Sequence, residues 1–491
     1  MGAEARQFID FLSEASVRYW QVCPLGPTGY GDSPYQCVSA FAGNPYLIDL
    51  MDLCKGGILR SESLGPLLFL PADKVDYGAL YKLKWPVLRR SFDGFRAKSN
   101  GNGIYGDFQQ FKDKHSEWLE PFAWYQALKQ KFGGKPWYGW PEGFRSYDEF
   151  LKNGGSSDQE CQEEAEAQRF YQYLFYGQWK KLRRYARERQ VRIIGDIPIF
   201  VSYDSADVWA APHLFQINPK NMEPVAVAGV PPDYFSADGQ YWGNPLFDWD
   251  RMAKDGYQWW MKRLKANFEL YDVVRIDHFR GFEAYWSIPY GAPTAKSGKW
   301  IKGPGLKFFK AIADQFPNAR IIAEDLGSLS PEVYELLDQT GLPGMAVLQF
   351  AFGGDAENLY LPHNHKVNSL VYPGTHDNDT TLGWYKTADE KTQDHVRRYF
   401  RISGQEVPWD FIRSAYRSVS RLAVLPLQDL MSLDSSARFN MPGQQHGNWQ
   451  WRYHHEQLQK LRKESSAYLA ELAALYGRNP DLDSPKHPTT S

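Results

Sequence analysis

One pattern, repeated along the whole chain, constrains its fold more than anything else in the sequence: short apolar runs alternate with longer helix-forming stretches. The runs are Tyr19–Val22, Tyr46–Leu50, Val191–Asp196, Val273–Asp277, Ala319–Glu324, Met345–Phe350, Ser369–Tyr372 and Leu422–Leu425. Short, β-rich and apolar on both faces, they have the character of parallel strands buried under helices. Eight of them separated by helical segments predict an α/β fold, the (β/α)8 TIM barrel. Such a barrel takes about 250 residues. The chain has 491, so much of it must be inserted into a single catalytic barrel spanning 1–491. Two stretches suit that role. One is 55–155, rich in helix formers and aromatics and expected to be mainly helical; the other is 202–251, whose Gly/Pro-rich segment Gly229–Gly243 reads as a loop. From Ala423 onward no succession of alternating strands occurs, so no C-terminal β-sandwich is expected. The polar tail 478–491, with three prolines, is expected to fray.

A formal net charge of -2 and the lack of a polybasic tail argue against nucleic acid or an anionic membrane as partner. Lys180, Lys181, Arg183, Arg184, Arg187 and Arg189 lie in the helix-prone stretch 159–189 and read as its solvated face. No apolar run approaches the length of a membrane span, and Glu4, Asp10 and Glu14 interrupt the stretch where a signal peptide would be apolar. The four cysteines, Cys23, Cys37, Cys54 and Cys161, show no CxxC spacing and read as free thiols in a reducing compartment. A cytoplasmic protein is expected. Aromatic residues make up 16% of the chain, and flat, half-polar rings suit sugar faces, although a large core absorbs most Phe.

Four strand candidates finish on, or just before, an acid: Asp196, Asp277, Glu324 and Asp377, the last inside Tyr372-Pro-Gly-Thr-His-Asp-Asn-Asp379. A lone acid at a strand end is commonly a helix cap. Four converging at the carboxyl face of a parallel barrel, where active sites sit, would repel one another unless they performed chemistry. Arg275 and Asp277, two residues apart on one strand, leave the same face. A guanidinium beside a carboxylate favours its ionised, nucleophilic form, or else makes a structural ion pair. Glu324 follows the apolar Ile321-Ile-Ala, where desolvation favours the protonated form of a general acid. An ionised and a protonated carboxyl about 5 to 5.5 Å apart are the machinery of a retaining glycosidase. Asp377 is placed to steady an oxocarbenium-like transition state or to hold sugar hydroxyls, and His376 beside it can donate to a hydroxyl oxygen.

Val274-Arg-Ile-Asp-His-Phe-Arg-Gly281, Ala323-Glu-Asp-Leu-Gly327 and Gly374-Thr-His-Asp-Asn-Asp379 resemble the catalytic regions of the amylomaltases, the 4-α-glucanotransferases related to the α-amylases. The resemblance runs almost end to end, through Gly31-Asp-Ser-Pro-Tyr-Gln36, Ser39–Tyr46, Gly195–Phe200, Val230–Ser236, Trp242–Pro245 and Gly344–Phe350. It implies a retaining transfer of α-1,4-glucan segments from a glucan donor to glucose or a maltodextrin acceptor, with no cofactor and no metal. It further implies Asp277 as nucleophile, Glu324 as acid/base and Asp377 as transition-state stabiliser, assisted by Arg275 and His376. Tyr46, Asp196, Trp242, Phe350 and Asn448 fall on segments that line the glucan cleft in that family, and the segment Pro231–Gly243 is a loop over it. The alternative is an α-amylase-like retaining hydrolase of α-1,4-glucans. A metal-dependent barrel hydrolase rests only on His363-Asn-His365 among scattered histidines, which no standard zinc spacing completes.

Overall fold

The computed structural model describes residues 1–29, 31–98, 102–232, 236–327, 329–444 and 446–479; the tail from 480 and residues 233–235 of the Gly/Pro segment lie outside the described residues. Seven of the eight sequence-derived runs hold parallel strands: β1 Tyr19–Gln21, β2 Arg192–Ile197, β3 Val273–Ile276, β4 Ile321–Ala323, β5 Gly344–Val347, β6 Ser369–Tyr372 and β7 Leu422–Ala423. They form one sheet in the order β1-β2-β3-β4 and a second in the order β5-β6-β7. At the junction of the two, Ala323 donates its N–H to Pro343 O at 3.0 Å, and Met345 N donates to the Asp325 carboxylate at 2.6 Å. The sequential parallel order, with helices between the strands, is that of a TIM-type barrel.

The two-residue alternation of a strand sorts its side chains. Ile194, Val273, Ile322, Met345, Leu370 and Tyr372 point into the barrel and form one apolar cluster. Their neighbours Ile193, Val274 and Ile321 point outward into the main core beneath the helices. This double burial is why the runs carry apolar residues without a polar face.

The run Tyr46–Leu50 is not a strand, which corrects the sequence reading. Pro45–Leu47 is a 3-10 turn and Leu50–Lys55 a helix. Asn44 accepts from Tyr46 N at 2.9 Å and Asp49 from Met51 N at 3.0 Å. Two side-chain caps within six residues, with a proline that has no N–H to give a ladder, override the apolar pattern.

Within 55–155 the chain is dominated by the helices Tyr77–Lys98, Phe108–Lys131 and Tyr147–Lys152, packed with the long helix Gln159–Glu188. Phe95 stacks on Phe170 at 4.7 Å and meets Phe108 edge-on at 5.6 Å, so part of the aromatic surplus is ordinary core. Gln240–Pro245 and Ala226–Val230 join Ala284–Pro289 and Lys299–Lys302 in a four-stranded antiparallel sheet. Half of that sheet comes from beyond residue 251. Gly229 lets its strands close up, because a Cβ there would lie 2.2 Å from Gln240 O. After Leu427 the described residues form helices, chiefly His455–Leu475, and turns.

Candidate active site

The register of β3 and β4 pairs Ile276 with Ala323. The next residues, Asp277 and Glu324, therefore leave adjacent strands at the same level. Asp277 N donates to Ile197 O and Glu324 N to Ile276 O, each at 3.0 Å, which carries the ladder one step past the strand ends. His278 then turns into the left-handed region at φ 52°. That conformation is costly for a side-chain-bearing residue and marks a constrained site. It aims His278 N at Glu324 Oε2, 2.6 Å away, while Leu326 N donates to Oε1 at 2.9 Å.

Arg275 lies buried on β3. Its Nη1 is 2.6 Å from Asp196 on β2 and 3.1 Å from Asp277. Tyr35 donates its hydroxyl to the same Asp196 oxygen at 2.7 Å and stacks on His376 at 5.0 Å. Asp377 stands on the turn after β6, its side chain 49% exposed. His376 Nε2 lies 3.3 Å from its Oδ1, and Asn440 Nδ2 donates to that same oxygen at 2.6 Å. Arg438 holds the Asp377 carbonyl at 2.9 Å. Trp449 packs 5.7 Å from both His376 and Tyr35.

Burial pushes Asp277 well above the ordinary carboxyl range. Arg275 opposes the shift, while Asp196, Glu324 and Asp377 add to it. Glu324 is also raised, by burial first, against Arg275 and the two backbone donors, with Asp377 adding. The expectation that Arg275 simply keeps Asp277 ionised is corrected: its guanidinium is shared, and the closer contact goes to Asp196. Desolvation outweighs the half share that remains. Asp277 and Glu324 lie in one another's field, which opposes ionising both at once. The Cys23 thiol is pushed up to about 12, by burial first and then by Asp196, and stays neutral.

Residues 1–459 match the family model of the 4-alpha-glucanotransferases, glycoside hydrolase family 77. The chain belongs to the 4-alpha-glucanotransferase family. A 4-alpha-glucanotransferase of Thermus thermophilus is 50% identical over 460 residues, which is 92% of this chain and 90% of that one. A chloroplastic/amyloplastic 4-alpha-glucanotransferase of Arabidopsis thaliana is 42% identical over 97% of this chain and 82% of its own length. The amylomaltase of Streptococcus agalactiae, solved with acarbose, superposes with a TM-score of 0.91 at 36% identity, covering 97% of this chain and 95% of that one. The fold is thereby that of the amylomaltase barrel, and the chain is an enzyme of the 4-alpha-glucanotransferase type.

Within this family fold, Asp196, Arg275, Asp277, Glu324, His376 and Asp377 meet in one electrostatic neighbourhood. Trp242, on the antiparallel sheet, sets its ring 4.9 Å from His278 at 78°, next to the β3 end. Phe350, on the turn Leu348–Phe350 after β5, packs edge-on to Tyr360 at 5.5 Å. Tyr46 sits edge-on to Trp85 at 6.2 Å, and its carbonyl accepts from Lys84 at 2.7 Å. Asn448 Oδ1 accepts from Met441 N at 2.9 Å and its Nδ2 donates to Gln444 O at 2.9 Å, so the amide staples its own loop. His363 is bonded to Tyr399 and Ala356, and His365 to Tyr360; both rings serve a loop. Tyr35, Asn440, Arg438 and Trp449 escaped the sequence reading. Tyr35 lies in the quoted motif Gly31–Gln36, whereas Arg438 and Asn440 carry no local signal and reach Asp377 from about 60 residues away.

Proposed function

We propose that this chain moves α-1,4-glucan segments between maltodextrins by double displacement at Asp277 and Glu324. Glu324 protonates the glycosidic oxygen as Asp277 attacks the anomeric carbon. The C1–O bond breaks, the reducing-end piece leaves with the proton, and a glucosyl ester forms on Asp277. The 4-hydroxyl of an acceptor then gives its proton to Glu324 and attacks C1, which returns Asp277 as carboxylate. One α-1,4 bond is exchanged for another, with no cofactor in the balance. The observation that carries this reading is the level placement of Asp277 and Glu324 on adjacent strands. Positive charge developing at C1 favours ionised Asp277, and burial favours the protonated form of Glu324.

Asp377, tethered by Asn440 and His376, is the third acid, placed to hold sugar hydroxyls. Arg275 and Asp196 set the charge balance beneath the nucleophile, and His376, Trp242, Phe350 and Tyr46 serve the glucan. The α-glucan substrate class is supported by the acarbose complex of the S. agalactiae amylomaltase. Among the described residues no helix is long and apolar enough to cross a membrane, and the four cysteines are free thiols. The free thiols suit a reducing compartment, which we take to be the cytoplasm.

Incubation with maltotriose tests the reading. Glucose and longer maltodextrins at a constant number of reducing ends are expected. A steady rise in reducing ends would instead identify an α-amylase-like hydrolase.

A further inference from the structure

Four tyrosines from four separate segments gather beside the antiparallel sheet, outside the site already described. Tyr138 comes from the 3-10 turn Trp137–Gly139 of the first insertion and Tyr203 from the loop after β2. Tyr290 follows the strand Ala284–Pro289, and Tyr241 lies on the strand Gln240–Pro245. Tyr138 rests flat on Tyr203, with ring centroids 4.3 Å apart and planes 4° from parallel, and Tyr290 meets Tyr203 edge-on at 6.3 Å. Gly291 N, next to Tyr290, donates to the Tyr241 hydroxyl at 3.3 Å.

The rings are held from below and open above. Trp137 is fully buried and donates its indole N–H to Tyr203 O at 2.7 Å, which ties the turn carrying Tyr138 to the loop carrying Tyr203. Tyr203 is the buried floor, Tyr138 is half-buried on top of it, and Tyr290 and Tyr241 are 41% and 39% exposed. Burial first, and then neighbouring acids and phenols, raises the pKa of Tyr138 and Tyr290, so both hydroxyls stay protonated and can donate as well as accept. The two acids beside these rings are already engaged. Asp204 is paired with Lys129 and accepts from Tyr125 at 2.7 Å, and Glu223 takes the Asn221 amide at 2.6 Å.

We propose that Tyr138 and Tyr290, on their Tyr203 floor, bind α-1,4-glucan at a second site outside the cleft, where they hold the far part of a long chain. The inference rests on the α-glucan chemistry proposed above. A glucan is uncharged and presents flat apolar faces edged by hydroxyls. Fixed ring faces with phenol hydroxyls match both features, and they lose little freedom on binding. Engaged acids leave little for an ionic ligand, and a docking protein would bury a wider surface than these rings provide. Tyr241 joins the patch to the catalytic face: the next residue, Trp242, leaves the opposite side of the same strand and stands against His278. A chain passing Trp242 has only that strand to cross.

Native electrophoresis of the full chain in gels cast with glycogen tests the site, with polysaccharide-free gels as reference. The chain should be retarded, and Tyr290→Ala, alone or with Tyr138→Ala, should weaken the apparent affinity about two- to tenfold for each ring removed. KM for amylose should rise by a similar factor, while kcat and KM for maltotriose, too short to reach from cleft to patch, stay unchanged. Were the Tyr138 change to lower Tm, the exposed Tyr290 alone decides. The proposal is overturned if the unaltered chain is not retarded, if Tyr290→Ala is retarded as strongly as its parent, or if KM for maltotriose rises as much as that for amylose. Weakened retardation of Tyr290→Ala, in a protein whose parent never transfers maltotriose, would keep this site and remove instead the roles given to Asp277 and Glu324.

Discussion

Asp277→Asn separates what the carboxylate does for chemistry from what it costs the fold. The side chain is 26% exposed and shares Arg275 with Asp196. Removing its charge leaves Arg275 paired to Asp196 at 2.6 Å, so no buried cation is stranded. Burial raises the folded-state pKa of Asp277 above its unfolded value. Its contribution to stability is therefore fully present below about pH 4 and is lost as pH rises through the folded value. Each unit by which the pKa is raised is worth about 1.4 kcal/mol. At pH 7 the distance to the unfolded value of about 3.9 sets a ceiling of about 4 kcal/mol. The variant is expected to lose transfer activity by several orders of magnitude and yet to be the more stable protein at pH 7 to 8. The gap should close toward pH 4. Urea midpoints for both proteins across that range, at equal m-value, report it. A variant no more stable than its parent at pH 8 would show that Arg275 fully compensates the Asp277 charge. A variant that still transfers glucan at a near-normal rate would remove the role given to the residue.

Three further changes probe the rest of the site. Glu324→Gln should cut transfer between maltodextrins by several orders of magnitude with the circular dichroism unchanged. An aryl glucoside with an acidic leaving group should lose far less in its first step, since that group departs without a proton; an equal loss on both substrates would contradict the acid role. Tyr35→Phe removes the 2.7 Å hydroxyl bond to Asp196 but keeps the ring on His376; at about 1.5 to 3 kcal/mol for a bond to a charged group, kcat/KM should fall ten- to hundredfold, and no change would make that bond incidental. Asn440→Ala unties Asp377 Oδ1 and should lower kcat/KM about tenfold, the worth of one charged hydrogen bond. Unaltered kinetics would mean that Asp377 needs no such tether.

Residues whose neighbours lie along the chain were legible without coordinates. Strands β2 to β6 announced themselves because double burial demands uninterrupted apolar runs. Asp277 beside Arg275, and Glu324 behind Ile321-Ile-Ala, were readable because a strand places alternate residues on one face. Tyr46–Leu50 misled for the same reason: its apolar content looked like a strand, while Asn44 and Asp49, two ordinary polar residues, capped it into turns. The antiparallel sheet drew two of its strands from 284–302 because pairing partners are chosen by closure of the fold and not by nearness in sequence.

Composition and periodicity alone, then, determined a barrel of parallel strands with acids at its carboxyl face, since burial and alternation act residue by residue. Tertiary structure decided which of two carboxylates held Arg275 more closely, that Asn440 steadied Asp377, and that the Asn448 amide bonded within its own loop. Those outcomes depend on distances between segments far apart in the chain, and electrostatics and hydrogen bonding change over a few ångströms that no local pattern encodes.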